Sequence, residues 1–276
     1  MKRGVIVKRS IPWWLRIAFF FIALQAFDFI LTLFRPDLIL SLEPWPATPL
    51  NARFISSLYL ATGIGVLLCG LGRNFLQIRI VLIGTCVATS VILILSLYRL
   101  YFYPGEVPKL PVQWLVIYVL DPVLMALGIW YFRGEKPLQS PPPRASNPLS
   151  WLWIAQTIIL GVVGALMLLL PGVVVPVWPW KVTVPLIQLY GAFFLALALV
   201  TGLSISEWRW EGVRIPVIML MSLGITVVLI SLLHLDKFKS PLALLIWFVL
   251  FAAEALIFGG LLIAQWVHPV VKGVQS

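Results

Sequence analysis

Three acids sit where an acid is hardest to keep. Asp28, Asp121 and Glu254 are the acidic residues inside long apolar runs, and a charged side chain at the centre of a bilayer costs at least about 2.5–3.5 kcal/mol. Side chains of this kind face a protein interior or a water-filled cavity, and the chemistry open to them there is proton exchange or cation binding. Asp121 and Glu254 stand 133 residues apart, the same spacing as Trp114 and Trp247. Counted at 1.5 Å per residue from the start of its run, Asp121 lies about 14 Å deep and Glu254 about 18 Å. We expect a pseudo-symmetric pair facing the interior, with at least one acid uncharged at pH 7, because no Lys or Arg shares their depth and desolvation penalises the charge. Asp28 has no acidic counterpart, since the matching Gly164-Ala165 is small and apolar. The plainer alternative makes all three hydrogen-bonded packing glue.

Proline follows Asp121 directly. Pro122 removes one helical hydrogen bond and frees the Tyr118 carbonyl beside the acid; Ala255 stands after Glu254.

A second group of candidates lies at the ends of the runs. Trp45, Trp178 and Trp180 belong to two Trp-Pro loops that each lead through a threonine to Pro-Leu. Indoles suit the headgroup layer, so these are interface anchors, or else a platform for a lipid, quinone or sugar ring. Thr48-Pro49 reads as a helix start, with a capping hydroxyl and proline at the first helical position. Arg99 and His234 occupy matching positions in Ser96-Leu97-Tyr98-Arg99-Leu100 and Ser231-Leu232-Leu233-His234-Leu235. A cation at a helix C-terminus is favoured by the macrodipole, and His234 could also contact a ligand or sense pH.

Other chemistry finds no foothold. His234 and His268 fall at opposite faces, and Cys69 and Cys86 read as small core residues, so we expect no metal centre and no cofactor. No nucleophilic triad, phosphate loop or zinc-ligand spacing is present, so no catalytic residue is assigned and the reading leans away from an enzyme.

The elements that position these residues are membrane helices. Hydrophobic residues make up 61% of the chain and charged residues 11%, against roughly 45–50% and about 25% in soluble domains. The apolar runs are about 20 residues long without two-residue alternation, so they are helices. They lie near 13–34, 52–71, 80–100, 112–132, 151–170, 185–204, 215–234 and 242–267. The fold class is therefore all-α, a polytopic integral membrane bundle of eight transmembrane helices. The first run is too long for a signal-peptide core and lacks a small-residue cleavage site, so we expect it to be retained.

The chain also says the same thing twice. Trp14 and Trp151 are separated by 137, Pro36 and Pro171 by 135, and Trp45-Pro46 and Trp178-Pro179 by 133. Pro49-Leu50 recurs after 136 as Pro185-Leu186, while Arg79-Ile80 and Ser96-Leu97 recur after 135 as Arg214-Ile215 and Ser231-Leu232. This predicts a four-helix repeat over 1–133, a Pro-rich cytoplasmic linker over 134–150 and a second repeat over 151–276. Four helices is an even number, so both repeats enter from one side and are parallel.

Orientation follows from the basic residues. With the N-terminus inside, Lys2, Arg3, Lys8, Arg9, Arg16, Arg73, Arg79, Arg133, Lys136, Arg144, Arg209, Arg214 and Lys272 fall inside. Arg35, Arg53, Arg99, Lys109, Lys181, Lys237 and Lys239 fall outside. The excess favours cytoplasmic termini. The net charge of +10 then belongs to topology and anionic headgroups, and nucleic acid is excluded as a partner for want of a polar domain to carry it.

The stretch Trp45-Pro46-Ala47-Thr48-Pro49-Leu50-Asn51-Ala52-Arg53-Phe54 resembles four-helix repeats in uncharacterised prokaryotic multi-pass membrane proteins. Repeat two departs from it, with Gln188 where Arg53 would fall. The resemblance covers about a third of each repeat and implies a prokaryotic plasma membrane but no activity. Function is expected to be that of a small-solute, proton-coupled or lipophilic-ligand carrier or binding protein in contact with the lipid bilayer. A non-catalytic accessory or anchoring subunit with membrane-protein partners is the alternative, and a lipid-modifying membrane enzyme the third.

Overall fold

The computed structural model describes residues 10–29, 31–35, 47–103, 112–135, 148–207 and 209–267. Trp45, His268 and most of the 134–150 linker lie outside the described residues. Among the described residues the secondary structure is helical, with two isolated bridges, Ser10 to Asn74 and Trp180 to Phe238. The helices in chain order are α1 (Trp13–Asp28), α2 (Leu31–Phe34), α3 (Pro49–Gly70), α4 (Phe75–Phe102), α5 (Val112–Tyr131), α6 (Pro148–Leu169), α7 (Pro171–Val177), α8 (Val184–Ile205), α9 (Trp210–Leu232) and α10 (Pro241–Val267). A single 3-10 turn spans Leu235–Lys237. Eight helical segments are long and apolar enough to cross a membrane, α1 and α2 together making the first.

Local chemistry sets the ends. Thr48 caps α3 by accepting from the Asn51 N–H, and Pro49 opens the helix. Asn74 caps α4 in the same way, accepting from the Gln77 N–H. Because of that cap, α4 begins at Phe75 and not near 80; α9 likewise begins at Trp210 and not near 215. Arg79 and Arg214 end the purely apolar stretch of sequence but sit inside the helices, where long basic side chains reach toward the polar boundary. The first run breaks after Asp28, and the Thr32 hydroxyl donates to the Phe29 carbonyl at 2.6 Å. The stretch between the apolar runs 151–170 and 185–204 carries the short helix α7, opened by Pro171.

Four helices form the centre. In α3 and α8 the apolar span is 67% and 72% buried, whereas in α6 and α10 it is 17%, which puts those two at the periphery facing lipid. α1 packs on α3 and α6 on α8; α5 packs on α4 and α10 on α9. Between these groups α4 packs on α8 and α9 on α3, while α4 and α9 also meet. Small residues bring the central pairs close: the Met219 side chain lies where a Cβ on Gly65 would stand, and Val200 lies where one on Gly84 would stand. Gly164 and Gly191 let α6 and α8 touch backbone to backbone, a Cβ on Gly164 meeting the Leu195 nitrogen at 2.8 Å.

A charged clamp ties α4 to the α8–α9 connection. Glu207 is buried, takes two hydrogen bonds from the Arg209 guanidinium at 2.7 and 2.8 Å, and pairs with Arg79 at 3.2 Å. Burial pushes the Glu207 pKa upward, but hydrogen bonds and charge from Arg209, with Arg79 behind, hold it below the ordinary carboxylate value. A depressed folded-state pKa adds stability above the unfolded value of about 4.3, and that stability is lost as pH falls through the folded value. Glu207→Gln should therefore lower stability at pH 7 by about 2 kcal/mol and flatten the acid limb of thermal unfolding below pH 4.5. An unchanged acid limb, followed by intrinsic tryptophan fluorescence in detergent, would show that the clamp contributes nothing.

Candidate functional site

α1, α3, α4 and α5 enclose a cavity of about 310 Å³, to which α8 adds Phe193. Its polar lining is Gln25, Asp28, Tyr59, Thr62, Thr85, Thr89, Tyr118 and Asp121. Its aromatic walls are Phe29, Tyr59, Trp114, Tyr118 and Phe193, and none of the lining residues is Lys, Arg or His. At roughly 30 Å³ per water the volume holds about ten waters. It also falls in the range of small-molecule sites, about 300–1,000 Å³.

Asp121 sits halfway along α5, nine residues from Val112, or about 14 Å at 1.5 Å per residue. It is 2% exposed, and its Oδ1 is buried with no hydrogen-bond partner among the described residues. Gln25 of α1 approaches the carboxyl without completing a well-formed bond, and both polar atoms of Gln25 are likewise buried without a partner. Buried polar groups are ordinarily satisfied, and here the Gln25 amide is the polar neighbour that the Asp121 carboxyl has on this wall. Asp28, at the end of α1, is exposed and borders the same cavity.

The rest of the wall is held in place by its own helices. The Tyr59 and Tyr118 hydroxyls hydrogen-bond each other, Tyr59 stacks on Phe29 with centroids 3.9 Å apart, and Trp114 donates to Ser96 Oγ at 3.0 Å. Thr62 and Thr89 donate to the Leu58 and Thr85 carbonyls one turn back, which leaves hydroxyl lone pairs toward the cavity. Pro122 lies inside an uninterrupted α5, and its carbonyl accepts a contact from Cys86 Sγ at 3.7 Å. Cys69 and Cys86 are both free thiols.

The structure thus brings Asp121 and Asp28 to one cavity and leaves Glu254 elsewhere. Glu254 is half-buried on α10, a helix packed on α9, and makes no hydrogen bond or ion pair among the described residues. Gln25, Tyr59, Thr62, Thr85 and Thr89 were not singled out in the sequence. The available signals were Gln25, an amide in an apolar run, and Thr85 and Thr89, one helical turn apart.

The indoles of the second Trp-Pro loop are inside the protein. Trp178 and Trp180 are 5% and 1% exposed and pack with Phe54, Tyr190 and Trp247. Asn51 of α3 is the hub of that cluster: its Oδ1 accepts from Trp180 Nε1 at 2.7 Å and the Tyr190 hydroxyl at 2.9 Å, and its Nδ2 donates to the Lys181 carbonyl at 3.1 Å.

Arg99 and His234 are buried as well. Arg99 donates to Gln188 Oε1 at 2.6 Å, and Arg53 hydrogen-bonds His234 Nε2. Burial lowers the His234 pKa, with the neighbouring Arg53 charge adding to it, so the imidazole is neutral at pH 7 and accepts from Arg53. Among the described residues no group of three His, Cys, Asp or Glu could hold a metal ion. Comparison of the chain with models of known families, with curated proteins and with solved structures finds no match.

Proposed function

We propose that this chain is a binding or carrier protein of the membrane that takes a small lipophilic solute into the Asp121 cavity. The observation that carries the reading is the buried Asp121 oxygen, without a partner among the described residues, facing about 310 Å³ of aromatic-walled space. A carboxyl there can exchange a proton against a solute, which is the chemistry of a proton-coupled carrier. Native mass spectrometry from mild detergent should find small molecules bound to the wild type and to Glu254→Gln, and none on Asp121→Asn. The same bound species on Asp121→Asn, or none on the wild type, would sink the reading.

We also infer that the helices form two parallel repeats, 1–133 and 151–276, about a pseudo-twofold axis along the membrane normal. Such an axis demands that each contact between halves occur twice with partners exchanged. Two pairs of contacts fit: Arg99 with Gln188 and Arg53 with His234, and Gly65 with Met219 and Gly84 with Val200. In each pair, adding 135 to the number of the first-half residue gives the second-half residue of the other contact. The Trp114–Tyr118 and Trp247–Phe251 ring pairs, offset by 133, have the same 4.6 Å separation and support the same register.

In that register repeat two is closed where repeat one is open. Gln25 falls on Val162, Tyr59 on Phe194, Thr62 on Leu197, Thr85 on Leu220 and Tyr118 on Phe251. Thr89 falls on Gly224, where a Cβ would meet the Phe251 carbonyl oxygen at 2.7 Å, so α10 sits directly on α9. One half binds and the other braces. The positive-inside excess supports cytoplasmic termini, and the resemblance of the Trp45–Phe54 stretch supports a prokaryotic plasma membrane. A cysteine at Ser140 should be labelled by a membrane-impermeant maleimide only after the cells are opened; labelling in intact cells would reverse the orientation.

A further inference from the structure

We propose that the solute is a lipophilic monocation, a quaternary or protonated amine carrying apolar substituents. The inference rests on the cavity being a binding site and adds the charge of what enters it.

The wall chemistry selects by elimination. Two carboxyl side chains, Asp121 and Asp28, border the space, and among the described residues no Lys, Arg or His lines it. An anion would meet like charge without a counter-ion, in surroundings where Coulomb terms are larger than in water. A neutral hydrocarbon would fill the volume but bring no charge to the Asp121 oxygen, which is buried without a partner among the described residues. A bare metal ion would find no group of three His, Cys, Asp or Glu among the described residues, and would leave most of about 310 Å³ unfilled.

A lipophilic cation answers the acidic and the aromatic elements. Its charge meets the Asp121 carboxylate. Its substituents meet Tyr59, Trp114, Tyr118 and Phe193, whose ring faces attract cations. The Thr62 and Thr89 hydroxyls already donate within their helices and present oxygen lone pairs. The carboxyl and threonine oxygens on this wall thus present acceptors toward positive charge, while the Gln25 amide adds one donor beside Asp121. Asp28 adds a second step: it is exposed while Asp121 is 2% exposed, so the two carboxyl groups run from the edge of the cavity to its depth.

The test uses the purified full chain in mild detergent and two probes of one shape, benzyltrimethylammonium and its uncharged carbon isostere neopentylbenzene. Saturable binding of the cation is expected, with the isostere at least tenfold weaker. Asp121→Asn should weaken the cation at least tenfold without weakening the isostere, Asp121→Glu should restore most of the loss, and Glu254→Gln should bind as wild type. Size-exclusion profiles identify any variant that misfolds, and the two-probe comparison on the wild type stands without variants. Equal binding of both probes, or tighter binding of the isostere, overturns the cation assignment and leaves the lipophilic-site reading intact. Binding of neither probe to the wild type overturns the cation assignment, and the native mass spectrum of the wild type then decides the broader reading separately.

Discussion

Asp121→Leu is expected to make this protein more stable while emptying its site. In the wild type the carboxyl is 2% exposed, and its Oδ1 has no hydrogen-bond partner among the described residues. A buried polar group in that condition costs about 1–3 kcal/mol relative to a satisfied one. Leucine is close to aspartate in reach, carries no polar atom, and adds apolar surface beside Ile117 and Ile92 on the same wall. A gain of about 2 kcal/mol corresponds to a rise of roughly 5 °C in the unfolding midpoint for a chain of this size. Native mass spectrometry should show the same variant free of bound small molecules. Stability given up at a site is the usual sign that the site serves something other than folding. If Asp121→Leu instead lowers the midpoint, the carboxyl is a structural group and the cavity is a packing defect.

The sequence made the helices legible because membrane segments must be long, apolar and internally hydrogen-bonded. All eight spans were visible as runs, and errors came where charge and helix do not end together. Arg79 and Arg214 halt the apolar count, yet α4 and α9 begin four residues before them, at Phe75 and Trp210. For α4 the Asn74 cap was the readable signal. Thr48-Pro49 was readable too, and α3 starts there.

The site was legible only in part. Asp121 and Asp28 stood out because a carboxylate in an apolar run is costly wherever it points. Their meeting with Gln25, Tyr59 and Thr89 depends on which helices pack, and no periodicity within one helix encodes that. The spacing of Asp121 and Glu254 suggested a pair, but the helices that carry them pack on α4 and α9 respectively, and Glu254 does not line the cavity. Composition also placed the indoles in the headgroup layer. Within that loop Trp178 and Trp180 are buried against protein, where Asn51 and Tyr190 give a polar centre around which the rings close.

Gln188→Leu should be the costliest single change on the seam between α4 and α8. Arg99 is 5% exposed, donates to Gln188 Oε1 at 2.6 Å, and lies over the Tyr103 ring with 5.0 Å to its centroid. Removing the amide takes a charge-assisted hydrogen bond, worth about 1.5–3 kcal/mol, from a guanidinium that cannot shed its proton. It also removes the bond from Gln188 Nε2 to the Leu168 carbonyl at 3.2 Å, which ties α8 to α6. The loss should be about 3 kcal/mol, read as a lowered unfolding midpoint in detergent. Arg99→Met removes the charge itself, so Arg99→Met with Gln188→Leu should recover at least half of that loss. The partner-exchanged contact makes a sharper comparison. His234 is neutral and accepts from an Arg53 that is only half-buried, so His234→Leu should cost about half as much. Strict additivity of Arg99→Met and Gln188→Leu would mean that the two side chains do not hold the seam, and the exchanged contacts would then be geometry without energy.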